Sequence, residues 1–178
     1  YEGKLGQADV VIMLDSYNVV IDQSSFYWST DELFQTADSV NITVQNSIFA
    51  EGLSNSTHIK GEHSKGPMFR GGGNVSFHNN LIAHNTDRLP NIGVDGTFDM
   101  VNNVMYNGGK FWSVFVDSVG EPKVNAVNNY YKVGADSVAA EAKENQHSRG
   151  YAIHFWLSSS SLYLNPEIYV KGNISRER

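Results

Sequence analysis

Three groups of side chains in this chain could take part in chemistry. Asp9 and the adjacent Asp31 and Glu32 offer carboxylate oxygens, which suit a hard divalent cation such as calcium, although isolated carboxylates are usually solvated. Four basic residues between positions 60 and 88 form a local cationic strip in a chain of net charge −6: Lys60, Lys65, Arg70 and Arg88. The histidines at positions 58, 63, 78 and 84 follow no metal-ligand motif, so no zinc site is expected.

Composition excludes several classes of protein. The chain has 178 residues, of which 40% are hydrophobic and 18% are charged, too apolar a balance for a disordered protein. A pI of about 5.4 argues against a nucleic-acid partner. The longest apolar run, Val10 to Leu14, is five residues, so no membrane span is expected. With no cysteine, there is neither a disulfide framework nor a thiolate metal site.

A degenerate repeat indicates the elements that must position these side chains. Five segments align without gaps from residues 18, 41, 74, 97 and 123, so the intervals between their starts are 23, 33, 23 and 26. A weaker copy starts at Glu167, and the stretch around Ala152 is a candidate for another turn of the repeat. The second and fourth positions of each clear copy are apolar, as in a strand with one buried face.

The repeat predicts an all-β solenoid, because a stack of coils can bury an apolar face that one coil cannot. Asparagine tolerates the left-handed conformation of a sharp bend. We expect the asparagines at positions 46, 79, 102 and 128 to form a hydrogen-bonded ladder between coils. A β-sandwich is the competing interpretation, but it does not explain asparagine in one register. The longest interval, between the second and third copies, predicts a loop about ten residues longer than usual within residues 51–73.

These segments resemble the pectate lyases of polysaccharide lyase family 1. The motifs that carry the resemblance, in family order, are Asn18-VVIDQSSFYWSTDE, Asn41-ITVQNSIFAEGL, His63-SKG, Val75-SFHNNLIAHNTDRLPNI and Val101-NNVMYNGG. The match covers about residues 8 to 135. Members are enzymes that cleave polygalacturonate by β-elimination, usually with calcium. The resemblance therefore implies a right-handed parallel β-helix, a single-stranded solenoid, with residues 1–178 as one domain.

The resemblance assigns roles residue by residue. Arg88, in Arg88-Leu-Pro, matches the arginine that takes the proton from C5 of galacturonate. Lys65, in His-Ser-Lys-Gly, is similar to the lysine that contacts substrate near the scissile bond. Asp9 matches a calcium-ligating aspartate before the first strand, and Asp31 and Glu32 lie in the region that supplies further carboxylates, with no choice made between them. A base role for arginine needs an alkaline pH or a perturbed pKa, because arginine is normally protonated.

Several features depart from the family pattern. The family often carries a second arginine two or three residues after the proline, where this chain has Ile92 and Gly93. The family's Asp-His and His-His-Asn motifs read Asp22-Gln23 and His78-Asn79-Asn80 here. Full-length members also carry further N-terminal coils, whereas Asp9 stands near the start of this chain. We therefore expect a fragment of a longer lyase, a β-helix that lacks its N-terminal coils.

The resemblance implies calcium-dependent cleavage of pectate (homogalacturonan) to 4,5-unsaturated oligogalacturonides by a secreted or extracytoplasmic monomer. Two alternatives stay open. The altered motifs favour a non-catalytic β-helix that binds acidic polysaccharide. The other alternative is a pectin lyase that acts on methyl-esterified chains, but the acidic candidates argue against it, because a neutral substrate needs no calcium bridge.

Overall fold

The strands of this chain stack as the coils of a parallel β-helix. The computed structural model describes residues 6–110, 112–116, 119–138, 151–156 and 165–175. Within these residues, seventeen strands form three sheets, and neighbouring strands in each sheet are three apart in chain order. Each coil therefore contributes one strand to each sheet. Every ladder is parallel, so the solenoid prediction is confirmed and the sandwich interpretation is wrong.

The three sheets divide the strands as follows. The first sheet contains β1 (Ile12–Leu14), β4 (Glu32–Ala37), β7 (Lys65–Arg70), β10 (Asn91–Gly93), β13 (Ser113–Val116) and β16 (Ile153–Trp156). The second contains β2 (Tyr17–Asp22), β5 (Val40–Gln45), β8 (Gly73–His78), β11 (Gly96–Val101), β14 (Pro122–Val127) and β17 (Glu167–Lys171). The third contains β3 (Ser25–Tyr27), β6 (Ile48–Ala50), β9 (Leu81–Ala83), β12 (Val104–Tyr106) and β15 (Tyr130–Lys132).

The register of the second sheet reproduces the intervals of the sequence repeat. Val40 pairs with Gly73 across the longest of the first four intervals, because the extra residues leave as a loop and the strands stay aligned. The weak copy at Glu167 is β17, which pairs with β14. The stretch around Ala152 forms β16, which pairs with β13 on the first sheet and belongs to the same coil as β17. The weaker copy is therefore confirmed, whereas the further turn expected around Ala152 is wrong, because β14 and β17 pair directly.

Alternation of apolar side chains within these strands builds a continuous core. Phenylalanines from all three sheets fill it, and Phe34, Phe49, Phe69, Phe77 and Phe98 are fully buried. Their rings contact one another between coils, as Phe69 and Phe98 do at 5.0 Å between centroids. Such pairs add to the free energy gained by burial alone. The core is therefore a rigid support for the loops between the third and first sheets.

The asparagine ladder exists, but one position later than expected. Asn46 and its equivalents at 79, 102 and 128 adopt the left-handed backbone of the bend, with φ between 51° and 57°. The residues that follow them form the buried ladder. The backbone N–H of Asn80 donates to Asn103 Oδ1 (2.9 Å), and the backbone N–H of Asn103 donates to Asn129 Oδ1 (3.0 Å). The ladder continues to Asn173.

The connections before the first sheet differ greatly in length. Residues 28–31 connect β3 to β4 and residues 84–90 connect β9 to β10, whereas residues 51–64 connect β6 to β7. The long loop predicted from the repeat interval is thus confirmed, and we call residues 51–64 the insertion loop. In the described residues no helix is long and apolar enough to cross a membrane. The sequence pattern over residues 135–145 indicates a short helix or an excursion of the chain. Residues 135–138 are helical, and residues 139–145 lie outside the described residues.

Candidate active site

Successive coils place charged residues in one column at the start of the first sheet. Glu32 pairs with Lys65 in register, and Lys65 forms a parallel bridge with Asp87. On the preceding coil, the carboxylate of Asp9 accepts the backbone N–H of Glu32 at 2.9 Å. Because adjacent strands lie about 4.8 Å apart, side chains far apart in sequence come within contact distance. The column therefore runs Asp9, Glu32, Lys65 and Asp87, with one basic residue between acidic ones along the helix axis.

Three carboxylates meet beside this column. Ligand oxygens of Asp9, Asp31 and Glu32 all lie within 4.8 Å of one another, and Glu32 is 5% exposed. Burial raises the pKa of Asp9 to about 6, and the nearby Asp31 carboxylate acts in the same direction, while Arg88 and His63 oppose it. Three ionised carboxylates at these distances repel one another unless cations lie close to them. The donor set, all carboxylate oxygen, is of the kind that calcium binds.

Arg88 supplies one of those cations. Its Nη1 forms an ion pair with Oε1 of Glu32, and its Nε lies 3.5 Å from Oδ1 of Asp87. Nη1 also donates to the sulfur of Met68 at 3.5 Å. Burial lowers the pKa of Arg88, whereas the Asp31 and Asp9 carboxylates act in the opposite direction. The guanidinium is thus partly desolvated and lies at the edge of the cluster of three carboxylates.

A local break in register aims Arg88 at the site. Lys65 aligns with Asp87, whereas Met68 aligns with Asn91. The chain advances three positions from Lys65 to Met68 but four from Asp87 to Asn91, so the later coil carries one extra residue, as in a β-bulge. Arg88 itself is left-handed, with φ of 64°, a conformation that a non-glycine residue rarely adopts. This combination turns its side chain towards Glu32.

Asp87 joins the two basic candidates and was not found from the sequence. Its Oδ2 forms an ion pair with Lys65 Nζ, while its Oδ1 faces Arg88. The residue is buried, with 8% exposure. Its position almost one coil after Lys65 and directly before Arg88 is the only signal in the sequence, and it could have been used. Lys65 and Arg88 are thus brought together through one carboxylate.

His58 and His63, from the insertion loop, were also missed as site residues. His63 Nε2 lies 2.6 Å from Oδ1 of Asp31, and His58 Nε2 lies 3.4 Å from its Oδ2. The two rings stack at 3.8 Å between centroids, with an angle of 3° between their planes. Only the length of the interval between the second and third repeat copies hinted that this loop had a role.

The rest of the predicted cationic strip lies elsewhere. Lys60 is exposed on the insertion loop, and Arg70 is exposed at the far end of β7 from Lys65. The site therefore gathers all five candidates from the sequence, together with three further residues. The candidates are Asp9, Asp31, Glu32, Lys65 and Arg88, and the additions are His58, His63 and Asp87.

Comparison with known proteins agrees with this architecture. The family model described as the right-handed β-helix region matches residues 6–174. The chain belongs to the right-handed β-helix family. This membership also fixes the hand of the solenoid, as the resemblance implied and as parallel strand crossovers generally require.

Within the right-handed β-helix family, the chain is homologous to proteins named probable pectate lyase C. It is 35% identical to that of Aspergillus terreus over 154 residues, which are 84% of this chain and 35% of the relative. It is 36% identical to that of Aspergillus flavus over the same shares. For Emericella nidulans, identity is 34% over 146 residues, covering 80% of this chain and 32% of the relative. The chain thus spans about a third of the length of these curated relatives.

Proposed function

We propose that this chain carries the active site of a calcium-dependent pectate lyase. Its substrate is de-esterified homogalacturonan, and its products are 4,5-unsaturated oligogalacturonides. One observation carries the proposal: two basic residues, Lys65 and Arg88, lie against a cluster of carboxylates on one flank of the β-helix. Homology to probable pectate lyases supports it. A secreted, monomeric protein remains our expectation.

Asp9, Asp31 and Glu32 are the residues that would hold calcium. Their oxygens are close enough to share one cation, and calcium takes six to eight oxygen ligands, some of them from water or substrate. Bound there, calcium would withdraw electron density from the substrate carboxylate and stabilise negative charge that develops beside it. Glu32 can use one oxygen for this purpose while the other stays paired with Arg88.

Arg88 is proposed as the group that takes the C5 proton. As that proton leaves, its bonding electrons form the C4–C5 double bond, the C4–O bond breaks, and the departing oxygen takes a proton from solvent. Desolvation, which lowers the pKa of Arg88, supports the role, because a general base must be neutral before it accepts a proton.

Lys65 and Asp87 are proposed to orient the reacting sugar. Lys65 presents a positive charge to the substrate near the scissile bond, and Asp87 fixes the lysine by their buried ion pair. Asp87 also faces Nε of Arg88, so one carboxylate sets the spacing of both cations. That kind of positioning is where much of an enzyme's rate enhancement arises.

The decisive experiment follows the ultraviolet absorbance of the conjugated unsaturated uronate. The chain is incubated with polygalacturonate, with methyl-esterified pectin, and with each substrate plus a chelator. We expect absorbance to rise on polygalacturonate alone and to stop when calcium is removed.

Other outcomes would replace this proposal with a named alternative. Binding of polygalacturonate without an absorbance rise would identify a non-catalytic polysaccharide-binding β-helix. Activity on esterified pectin that survives chelation would identify a pectin lyase. The altered Gly93 position motivates both controls, because it leaves no arginine there to grip a substrate carboxylate.

A further inference from the structure

The insertion loop brings two imidazoles to a single carboxylate. His58 and His63 both direct Nε2 at Asp31, one towards each oxygen, at 3.4 Å and 2.6 Å. His58 is 4% exposed, and its Nε2 has no hydrogen-bond partner within normal distance among the described residues. A buried polar atom without a partner costs free energy, so this arrangement needs a reason.

One candidate reason is a transition-metal site, because Asp31, His58 and His63 can bring ligand atoms within 4.8 Å of one another. The hydrogen bonding of His58 argues against it. The backbone N–H of Lys60 donates to His58 Nδ1 at 3.1 Å. A neutral imidazole that accepts at Nδ1 carries its proton on Nε2. That nitrogen then has no lone pair for a metal.

The same logic places a proton on Nε2 of both rings, although only His63 lies within hydrogen-bond distance of Asp31. An ionised carboxylate only accepts hydrogen bonds, so the 2.6 Å contact with His63 also requires a proton on Nε2. Each oxygen of Asp31 thus faces one imidazole N–H, and each retains a lone pair for another partner. Parallel stacking of the rings fixes the direction of both donors.

Contacts within the insertion loop hold the two histidines in place. The N–H of His63 donates to the carbonyl of Ser54 at 3.1 Å, and the N–H of Gly61 donates to the carbonyl of His58 at 3.0 Å. The hydroxyl of Ser64 donates to the carbonyl of Gly52 at 2.7 Å, which closes the base of the loop. The histidines therefore stand on a preformed support.

We infer that His58 and His63 are positioning residues that hold the Asp31 carboxylate for cation binding. We call the pair the histidine clamp. The inference rests on the proposed calcium site, and it gives the extra residues of the insertion loop a task. Residues that hydrogen-bond to metal ligands typically change metal affinity by about ten- to a hundredfold when they are lost.

The test compares His63→Leu, which removes the donor, with His63→Gln, whose Nε2 can still donate. His78→Leu is the matched control, because His78 lies on the second sheet in β8. Calorimetric titration of chelator-treated protein with calcium measures affinity without any need for turnover. We expect His63→Leu to bind calcium about ten- to a hundredfold more weakly, His63→Gln to recover most of that loss, and His78→Leu to match the unsubstituted chain.

Two further measurements separate the clamp from a merely structural role. Nitrogen-15 spectra of the imidazoles should show the Nε2–H tautomer for both rings at neutral pH. Thermal unfolding in chelator should show that His63→Leu remains folded at the temperature of the titration. Unchanged calcium affinity in folded His63→Leu would overturn the clamp but not the calcium site.

Two other results would overturn the calcium site itself or the role assigned to the histidines. A failure of the unsubstituted chain to bind calcium would remove the proposed calcium site, and the clamp with it. Tight zinc binding accompanied by a switch of both rings to the Nδ1–H tautomer would show that the histidines are metal ligands instead.

Discussion

Gly66 leaves room for the backbone carbonyl of Arg88: any side chain at position 66 would overlap that oxygen. The close approach also lets the N–H of Gly66 donate to the carbonyl of Asp87 at 2.9 Å. The residue next to Lys65 is therefore small so that the bulge carrying Arg88 can pack against β7. Position 66 controls the site although it carries no functional group.

Gly66→Ala is predicted to impair catalysis while every charged residue remains in place. The added methyl group must push the bulge outward, and a displacement near ~1 Å at a reacting group can cost about a hundredfold in rate. Steady-state kinetics on polygalacturonate, with thermal unfolding measured in parallel, would test this. A variant with a normal turnover number would show that the contact does not position Arg88.

Arg88→Ala should abolish turnover and leave the β-helix folded, because the residue lies at the edge of the first sheet and outside the hydrophobic core. The absorbance assay reports activity, and circular dichroism reports the strands. Lys123→Ala, which removes an exposed basic residue on the second sheet, serves as the control. Loss of folding in Arg88→Ala would assign the arginine a structural role.

Arg70→Ala should have a different kinetic signature. Arg70 is exposed and pairs in register with Gly93, on the coil where the family's second arginine is missing. Its charge can attract an acidic polymer without touching the reacting sugar. We expect KM to rise and the turnover number to change little, with an effect that weakens as salt is added. A fall in turnover number at saturating substrate would contradict this assignment.

Asp9 should make the calcium-free protein less stable as pH rises. Its pKa in the folded protein, about 6, lies above the ordinary 3.8, so the folded state holds the proton more tightly. The stability this provides is present at low pH and is lost as pH rises from about 4 to 6. Urea unfolding in chelator across this range should show the decline, and Asp9→Asn should flatten it. An identical pH profile in both proteins would refute the prediction.

Adjacent asparagines in the bend should respond very differently to substitution. Asn103→Ala removes the side-chain partner of two buried groups, the backbone N–H of Asn80 and the carbonyl of Phe77, while Nδ2 of Asn80 keeps its bond to the carbonyl of Val44. At about 1–3 kcal/mol for each unsatisfied group, a loss of about 2 kcal/mol or more is expected. Asn102→Gly keeps the left-handed bend, and the extra chain entropy of glycine should cost no more than about 0.5–1 kcal/mol. Denaturant unfolding of both variants tests the contrast, and equal losses would refute it.

The sequence predicted the architecture well because, in a parallel β-helix, the interval between repeat copies is also the offset between paired residues of neighbouring strands. Apolar positions spaced by one coil must stack, so aligning the repeat also aligned the strands. It did not identify the ladder residue, since two adjacent asparagines look alike until the backbone turns one of them inward. Asn79 bends the chain and Asn80 points into the core, a distinction that depends on a single left-handed residue.

The site was only partly accessible from sequence. Residues at coil spacing, such as Glu32 and Lys65, could be matched to a motif. His58 and His63 come from a loop without periodicity, so nothing in their spacing related them to Asp31. The bulge at Arg88 was hidden as well, because the regular interval between the neighbouring strands conceals a one-residue offset within the coil.

That offset separates the requirements of folding from those of function. Deleting one residue between Asp87 and Asn91 other than Leu89, which is fully buried in the core, would make this coil regular and would leave the asparagine ladder untouched. The solenoid would lose none of its stacking, yet the guanidinium would no longer face the carboxylates. Relatives could therefore gain or abandon the reaction through a single codon while inheriting an unaltered scaffold, and a well-folded β-helix of this kind is not by itself a sign of activity.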